Sequence, residues 1–162
     1  NLSKSDLEIF IHKNDLPYVE DDTNLDNDFD RNFLRNEIIP SLGKRWSKLP
    51  ERAALTSLTA KKKKLSLDFM LEKNFKKEIS TGIIERAKFI ETPSFLIEEL
   101  IRLILRKKGI ALPSQKVLSE IMNVFFHKKP SNESYVEWSR KDGEQIGGKV
   151  FSEHNDIILK KK

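Results

Sequence analysis

The stretch TPSFLIEELIRLILRKKG, residues 92–109, constrains the fold more than any other. Thr92 offers an N-cap, Pro93 fits a first helical turn, and Gly109 stands just past the last apolar turn, so this segment reads as a helix with both ends specified. Two more helices are expected around it. PSQKVLSEIMNVFFHKKP starts one at Ser114 and stops before Pro130, and a long helical pattern from Pro50 to about Ile79 carries Ala54, Leu55, Leu58, Leu65, Phe69 and Phe75. The chain then changes character. SYVEWSR, GGKVFSE and DIILK are short, β-rich and separated by Gly-Gly and Asn-Asp turn signals, which predicts a small antiparallel meander over about residues 134–160. The expected class is therefore α+β and mostly helical: a multihelical domain with a small C-terminal antiparallel meander.

The N-terminal residues follow a different plan. SKSDLEIFIHKND predicts a short helix, with Ser5 and Glu8 at capping-box spacing, an apolar stripe of Leu7, Phe10 and Ile11, and Asn14-Asp15 ending it. LPYVE is extended because Leu16 precedes a proline. The acidic stretch EDDTNLDNDFD is a loop rich in Asx-type turn formers. A second helix is expected from about Asp28–Asp30 to Leu42, with Pro40 ending or kinking it. Charge sign and pattern both change at KRWSKLPE, where Pro50 can start a new helix, so the domain boundary is placed between residues 47 and 48.

Charge is divided unevenly. Residues 1–50 hold 7 Lys/Arg against 10 Asp/Glu, whereas residues 51–162 hold 23 against 15. A basic remainder behind an acidic opening suits a polyanion such as nucleic acid, although lysine-rich surfaces also serve solubility alone. Lys61, Lys62, Lys63 and Lys64 cover every direction of a helix turn, so some of them face solvent in any case. With Arg102, Arg106, Lys107 and Lys108 they are the candidates for phosphate contacts, which add affinity without direct base specificity. Trp46, Trp138 and Tyr135 could stack on bases, with core packing the weightier alternative. No stretch approaches the roughly 18 apolar residues of a membrane span. The sequence contains no cysteine, which rules out disulfides, thiolate metal sites and a Cys nucleophile; a reducing compartment such as the cytoplasm is the default. His12, His127 and His154 are too scattered for a metal cluster. The oligomeric state stays open, with a homodimer among the options.

The acidic stretch invites a calcium reading, since Asp26, Asp28, Asp30 and Glu37 stand at positions 1, 3, 5 and 12 of an EF-hand loop. Position 6 demands glycine and here is Arg31, and no entering helix precedes it, so that reading fails. The helical wheel is more telling. At about 100° per residue, Phe29, Leu34, Ile38, Leu42 and Ile39 define an apolar stripe, and Arg31 and Arg35 fall inside it. Charges on a buried-looking face require partners. Either Asp21, Asp22 or Asp28 pairs with them internally, or a ligand phosphate or carboxylate meets a guanidinium.

LPYVEDDTNLDNDFDRNFLRNEIIPSLGKRW resembles the signature that closes the catalytic domain of tRNA(Ile)-lysidine synthases, a family of the ATP-pyrophosphatase (PP-loop) superfamily. Its elements stand here as Asp21-Asp22-Thr23-Asn24, Arg31-Asn32-Phe33-Leu34-Arg35, Ile38-Ile39-Pro40 and Arg45-Trp46. Downstream, ALPSQKVLSEIMNVFF and a terminal meander ending in IILK follow in the family's order. The resemblance implies an ATP-dependent ligase that forms a C–N bond. ATP (with Mg²⁺) adenylates the wobble cytidine of the CAU-anticodon isoleucine tRNA, then L-lysine attacks the activated carbon and AMP leaves. It also implies that residues 1–47 are the tail of an α/β catalytic domain and residues 48–162 a helical tRNA-recognition domain. Asp22, Asn24, Arg31, Asn32 and Arg35 match the motif and would edge the catalytic pocket.

One departure is large: the family's ATP-binding Ser-Gly-Gly-x-Asp-Ser loop is absent from these residues. The expectation is that the chain begins partway through the catalytic domain and is inactive alone. Two other readings compete. The helix pair 93–108 and 114–127 resembles a helix-turn-helix, which would make a non-enzymatic nucleic-acid-binding module, although SEIMNVFF is too apolar for an exposed recognition helix. The third reading is a helical interaction domain that binds no nucleic acid.

Overall fold

The structure is a computed structural model that describes residues 4–19, 22–131, 133–139 and 146–162. It divides into two compact units, Asn1–Thr59 and Ala60–Lys162.

The first unit begins with α1 (Lys4–Lys13), which places Ser5 inside the helix rather than at its N-cap. Leu16–Val19 are neither helix nor strand, and Asp22–Leu25 make a 3₁₀ turn. The second expected helix starts at Asp30 as α2 (Asp30–Phe33), passes through a π turn (Leu34–Ile38) and continues as α3 (Ile39–Arg45). Pro40 does not end it. Proline lacks an N–H and clashes with the preceding turn of a regular helix; here it occupies the first turn of α3, directly after the widened π turn that absorbs the irregularity. None of the described residues of this unit is buried, and Val19, Phe29 and Leu55 are 94%, 60% and 63% exposed.

The division falls inside α4 (Leu49–Asn74). The long helix expected to reach Ile79 instead breaks at Phe75, whose φ of −123° and ψ of 39° are not helical, and resumes as α5 (Lys76–Thr81). Gly82 ends α5 in the left-handed region at φ 78°, where a Cβ would meet the side chain of Lys108 and the Leu159 carbonyl. The chain then enters β1 (Ile83–Glu85), a strand not anticipated from the sequence, followed by a 3₁₀ turn at Arg86–Phe89.

Helix α6 (Ser94–Lys107) is the centre of this unit and buries Ile97, Leu100, Ile101, Leu103, Ile104 and Leu105. Its N-cap is Pro93, not Thr92: the Pro93 carbonyl accepts from Leu96 and Ile97, and no side chain caps the turn. Its C-terminus is a Schellman motif. Gly109, at φ 63°, donates to Arg106, Ile110 donates to Leu105, and Ile110 and Leu105 are both buried. Helix α7 (Gln115–Met122) starts as expected, with the Ser114 hydroxyl accepting from the Val117 N–H, and runs into a π turn at Asn123–His127. Arg86 closes that end by donating to the Phe125 and Lys128 carbonyls.

The meander forms as expected, as β2 (Tyr135–Trp138), β3 (Gly148–Glu153) and β4 (Asp156–Lys161). His154 and Asn155, both at positive φ, make the two-residue turn between β3 and β4. β1 joins from the helical region, so the sheet is four-stranded and antiparallel in the order β1-β4-β3-β2. Its inner face, with α6, α7 and Leu71 of α4, forms one apolar cluster.

Candidate functional site

Of the motif residues, Asn32 reaches the acidic loop through its side chain and Asn24 takes part through its backbone carbonyl. Asn32 on α2 donates through Nδ2 to the carbonyls of Thr23 (2.7 Å) and Asp26 (2.8 Å). One turn on, Asn36 donates to the Asn24 carbonyl (3.1 Å) and to Asn27 Oδ1 (3.0 Å). Asn27 in turn reaches Glu37, and the Asp28 N–H closes an Asx turn on Asp26 Oδ1. Two helix amides thus tie the carbonyls of the loop to the helix, the Thr23 carbonyl also accepting from the Asp26 N–H. Asn36 and Asn27 went unnoticed in the sequence. The spacing of Asn32 and Asn36, one turn apart on one helix, was the available signal.

The arginines stand differently from expectation. Arg31 and Arg35 are exposed, as are Phe29, Leu34 and Ile39 of the supposed buried stripe. Among the described residues, neither guanidinium has a hydrogen-bonding or ion-pairing partner. The wheel assumed that an apolar face is a buried one, and within this unit nothing covers that face. Of the proposed partners, Asp28 is exposed and does not pair with them. Asp21 lies outside the described residues, and for Asp22 only the backbone is described. The motif side of the helix therefore presents two guanidiniums, suited to a phosphate or carboxylate, beside a clamped loop.

The basic candidates of the second unit fall into two groups. Lys64 bonds Asp68 (2.9 Å) and Glu99 (2.6 Å), Arg102 bonds Glu99 (2.9 Å) and Gln115 (2.8 Å), and Arg106 bonds Asp68 (3.0 Å). This network ties α4 to α6. Burial opposes the charge on Glu99, yet the Lys64 and Arg102 cations outweigh it and hold the carboxyl below its usual range. Lys107 pairs with Glu72 (2.7 Å), and Lys108 donates to the Ser80 and Thr81 carbonyls at the end of α5. Lys61, Lys62 and Lys63 are exposed and carry no ion pair among the described residues.

Of the three aromatic candidates, Trp138 is buried and donates through Nε1 to the Ala111 carbonyl at 2.6 Å, which makes it structural. Trp46 is 53% exposed, lies beneath the Arg45 guanidinium, and borders a cleft of about 510 Å³ with Lys48 and Arg52. Tyr135 is 58% exposed. The helix-turn-helix reading finds little to support it: α7 buries Leu118, Ile121 and Met122, and its exposed side, with Gln115, Lys116, Ser119 and Glu120, carries no net positive charge to meet a DNA backbone.

Comparison with known proteins extends these observations. The family model of the PP-loop domain matches residues 1–42. The tRNA(Ile)-lysidine synthase of Actinobacillus pleuropneumoniae serotype 3 (strain JL03) is 30% identical over 126 residues, covering 75% of this chain and 30% of that protein. That of Photorhabdus laumondii subsp. laumondii is 32% identical over 123 residues, covering 74% of this chain and 27% of that protein. That of Coxiella burnetii (strain RSA 493 / Nine Mile phase I) is 30% identical over 166 residues, covering 98% of this chain and 36% of that protein. The chain thus spans about a third of the length of the curated relatives it matches. With the similarity running through both compact units, the chain belongs to the tRNA(Ile)-lysidine synthase family.

Proposed function

We propose that residues 1–47 are the C-terminal end of a PP-loop catalytic domain and residues 48–162 a helical tRNA substrate-recognition domain with a β-rich tail. In this reading the parent protein is a cytoplasmic ligase. It uses ATP to adenylate the wobble cytidine of the CAU-anticodon isoleucine tRNA and joins lysine to it. The observation that carries the reading is similarity to a tRNA(Ile)-lysidine synthase over 98% of the chain. The uncovered apolar side chains of the first unit support it, because a segment of a larger domain carries contacts that only the rest of that domain can bury.

Within the proposal each motif residue has work to do. Asn32 positions the loop that carries Asp22 and Asn24. Arg31 and Arg35 meet phosphate, either of ATP or of the anticodon backbone, because a guanidinium fork bonds two phosphate oxygens at once. Mg²⁺ travels with the triphosphate. Among the described residues no group of three His, Asp or Glu side chains is spaced to hold a cation alone. Since the sequence carries no Ser-Gly-Gly-x-Asp-Ser loop, the 162 residues by themselves bind ATP weakly and form no lysidine.

A salt-dependent titration against tRNA(Ile) and duplex DNA tests the recognition role, and a lysidine assay with and without a complementing PP-loop polypeptide tests the catalytic one. Preference for tRNA(Ile), and lysidine only in the complemented mixture, is expected. Equal binding of duplex DNA, or lysidine from the chain alone, overturns the corresponding half.

A further inference from the structure

The sheet of the second unit has two chemically different faces. The inner one packs into the core through Ile84, Val136, Trp138, Val150, Ile157 and Leu159. On the outer one, strand register sets Tyr135, Phe151, Ile158 and Ile83 side by side in a single row across all four strands. Tyr135 is 58% exposed, and the other three are half-buried. On one side of this row Lys149 stands opposite Lys160; on the other stand Glu85, Asp156 and Glu153.

Two features of this face call for a ligand. Like charges directly opposite each other on neighbouring strands repel, and Lys149 and Lys160 are such a pair. Glu137, also in register with Lys149, is bonded to Lys162 at 3.1 Å. Each of the two lysines instead lies over an aromatic ring: Lys149 Nζ is 4.3 Å from the Tyr135 centroid, and Lys160 Nζ is 4.6 Å from that of Phe151. An exposed ammonium is held only weakly by a ring, and a base stacked on the same ring gains more. A ligand that brings both a flat π-system and an anion lets the base take the ring and the lysine take the anion.

We infer that this face is a docking platform for an unpaired segment of RNA, with bases stacked on Tyr135 and Phe151 and phosphates against Lys149 and Lys160. The inference rests on the reading of this chain as a tRNA-recognising one. Duplex RNA does not satisfy the aromatic row, because its bases are stacked on one another and its backbone offers only phosphates and hydroxyls. Glu85 is paired with Lys77 and Lys88, but Asp156 and Glu153 leave acidic charge on the other side of the row, so the strand lies with its phosphates toward Lys149 and Lys160.

The test uses the whole chain and fluorescence anisotropy with three labelled probes: a short oligouridine, a fully paired RNA hairpin and a tRNA(Ile) transcript. Oligouridine is expected to bind tighter than the hairpin stem, and Tyr135→Ala to weaken it about tenfold, as for one lost stacking contact. Tyr135→Phe keeps the ring and should restore binding, which separates stacking from a general loss of structure. Lys149→Gln and Lys160→Gln should each flatten the log–log salt dependence by about 0.7. Unchanged oligouridine binding by Tyr135→Ala, or preference for the paired hairpin, overturns the platform. If the transcript binds but no sheet variant alters it, the platform falls and the tRNA-recognition reading stands. If oligouridine binds through Tyr135 while the transcript does not bind, the platform stands and that reading falls.

Discussion

The Asn32 side-chain amide donates to the Thr23 carbonyl oxygen at 2.7 Å, and the second hydrogen of the same nitrogen serves Asp26. One side chain therefore ties two points of the loop, on and just after the 3₁₀ turn at Asp22–Leu25, to α2. Replacing it by alanine removes two hydrogen bonds worth about 1 kcal/mol each. Replacing it by aspartate is worse, because an acceptor then faces two carbonyl oxygens. Backbone amides of residues 22–28 should exchange with deuterium several-fold faster in Asn32→Ala and faster still in Asn32→Asp, with α6 and α7 unaffected. Native exchange rates in Asn32→Asp would remove the clamp from the argument.

The second prediction divides the basic residues by what they already hold. Lys61, Lys62 and Lys63 are unpaired among the described residues, so a Lys→Gln change at each should weaken tRNA binding and lower the salt slope by about 0.7–0.9 if it meets a phosphate. Arg102 is already bonded to Glu99 and Gln115. Arg102→Ala should cost stability, by about 1 kcal/mol for a partly exposed network, and leave the salt slope as it was. A slope change at Arg102 equal to that at Lys62 would show that the network opens to the ligand.

These contrasts also mark where the sequence was legible. The helix at 94–107 and the meander could be read because Gly109 marks the helix C-terminus with a left-handed residue and Asn155 marks the β3–β4 turn, while the N-cap moved one residue, from Thr92 to Pro93. The break at Phe75 and the strand at 83–85 were not legible. β1 is three residues long and exists through pairing with β4, more than seventy residues away, a tertiary decision that no local pattern carries. The motif at 31–35 was legible as a resemblance, yet the burial inferred for its arginines was not. Periodicity reports which side chains are alike; what covers them is decided elsewhere in the fold.

The third prediction follows from Glu85. Hydrogen bonds from Lys77 (2.6 Å) and Lys88 (2.5 Å) hold its carboxyl down to about 2 against an ordinary 4.5. A carboxylate whose pKa is depressed in the folded state stabilises fully above its unfolded value and loses that contribution as pH falls through the folded one. Melting temperature should therefore decline between about pH 4.5 and pH 2, and Glu85→Gln should flatten that part of the profile while changing little of its shape near neutrality. An identical acid limb in Glu85→Gln would place the loss at other carboxylates.

The last prediction concerns Gly148, which stands opposite Trp138 in the β2–β3 register. A Cβ at Gly148 would lie 2.3 Å from Trp138 Cζ2, 2.6 Å from Cη2 and 2.8 Å from Ile110 Cγ2, well inside contact distance. The indole cannot move aside freely, because its Nε1–H is bonded to the Ala111 carbonyl at 2.6 Å and its ring is buried. Gly148→Ala should therefore cost about 1–3 kcal/mol, as overpacking does in other cores. For a unit of this size that is roughly 4–8 °C in Tm per kcal/mol. Trp138→Phe removes Cζ2 and Cη2, the atoms that clash, but also strands the Ala111 carbonyl. The double variant should thus lose less than the two single losses combined, the signature of residues that share one contact. Calorimetry of the four proteins measures this coupling. Simple additivity would mean that the glycine is there for its backbone and not for the ring above it.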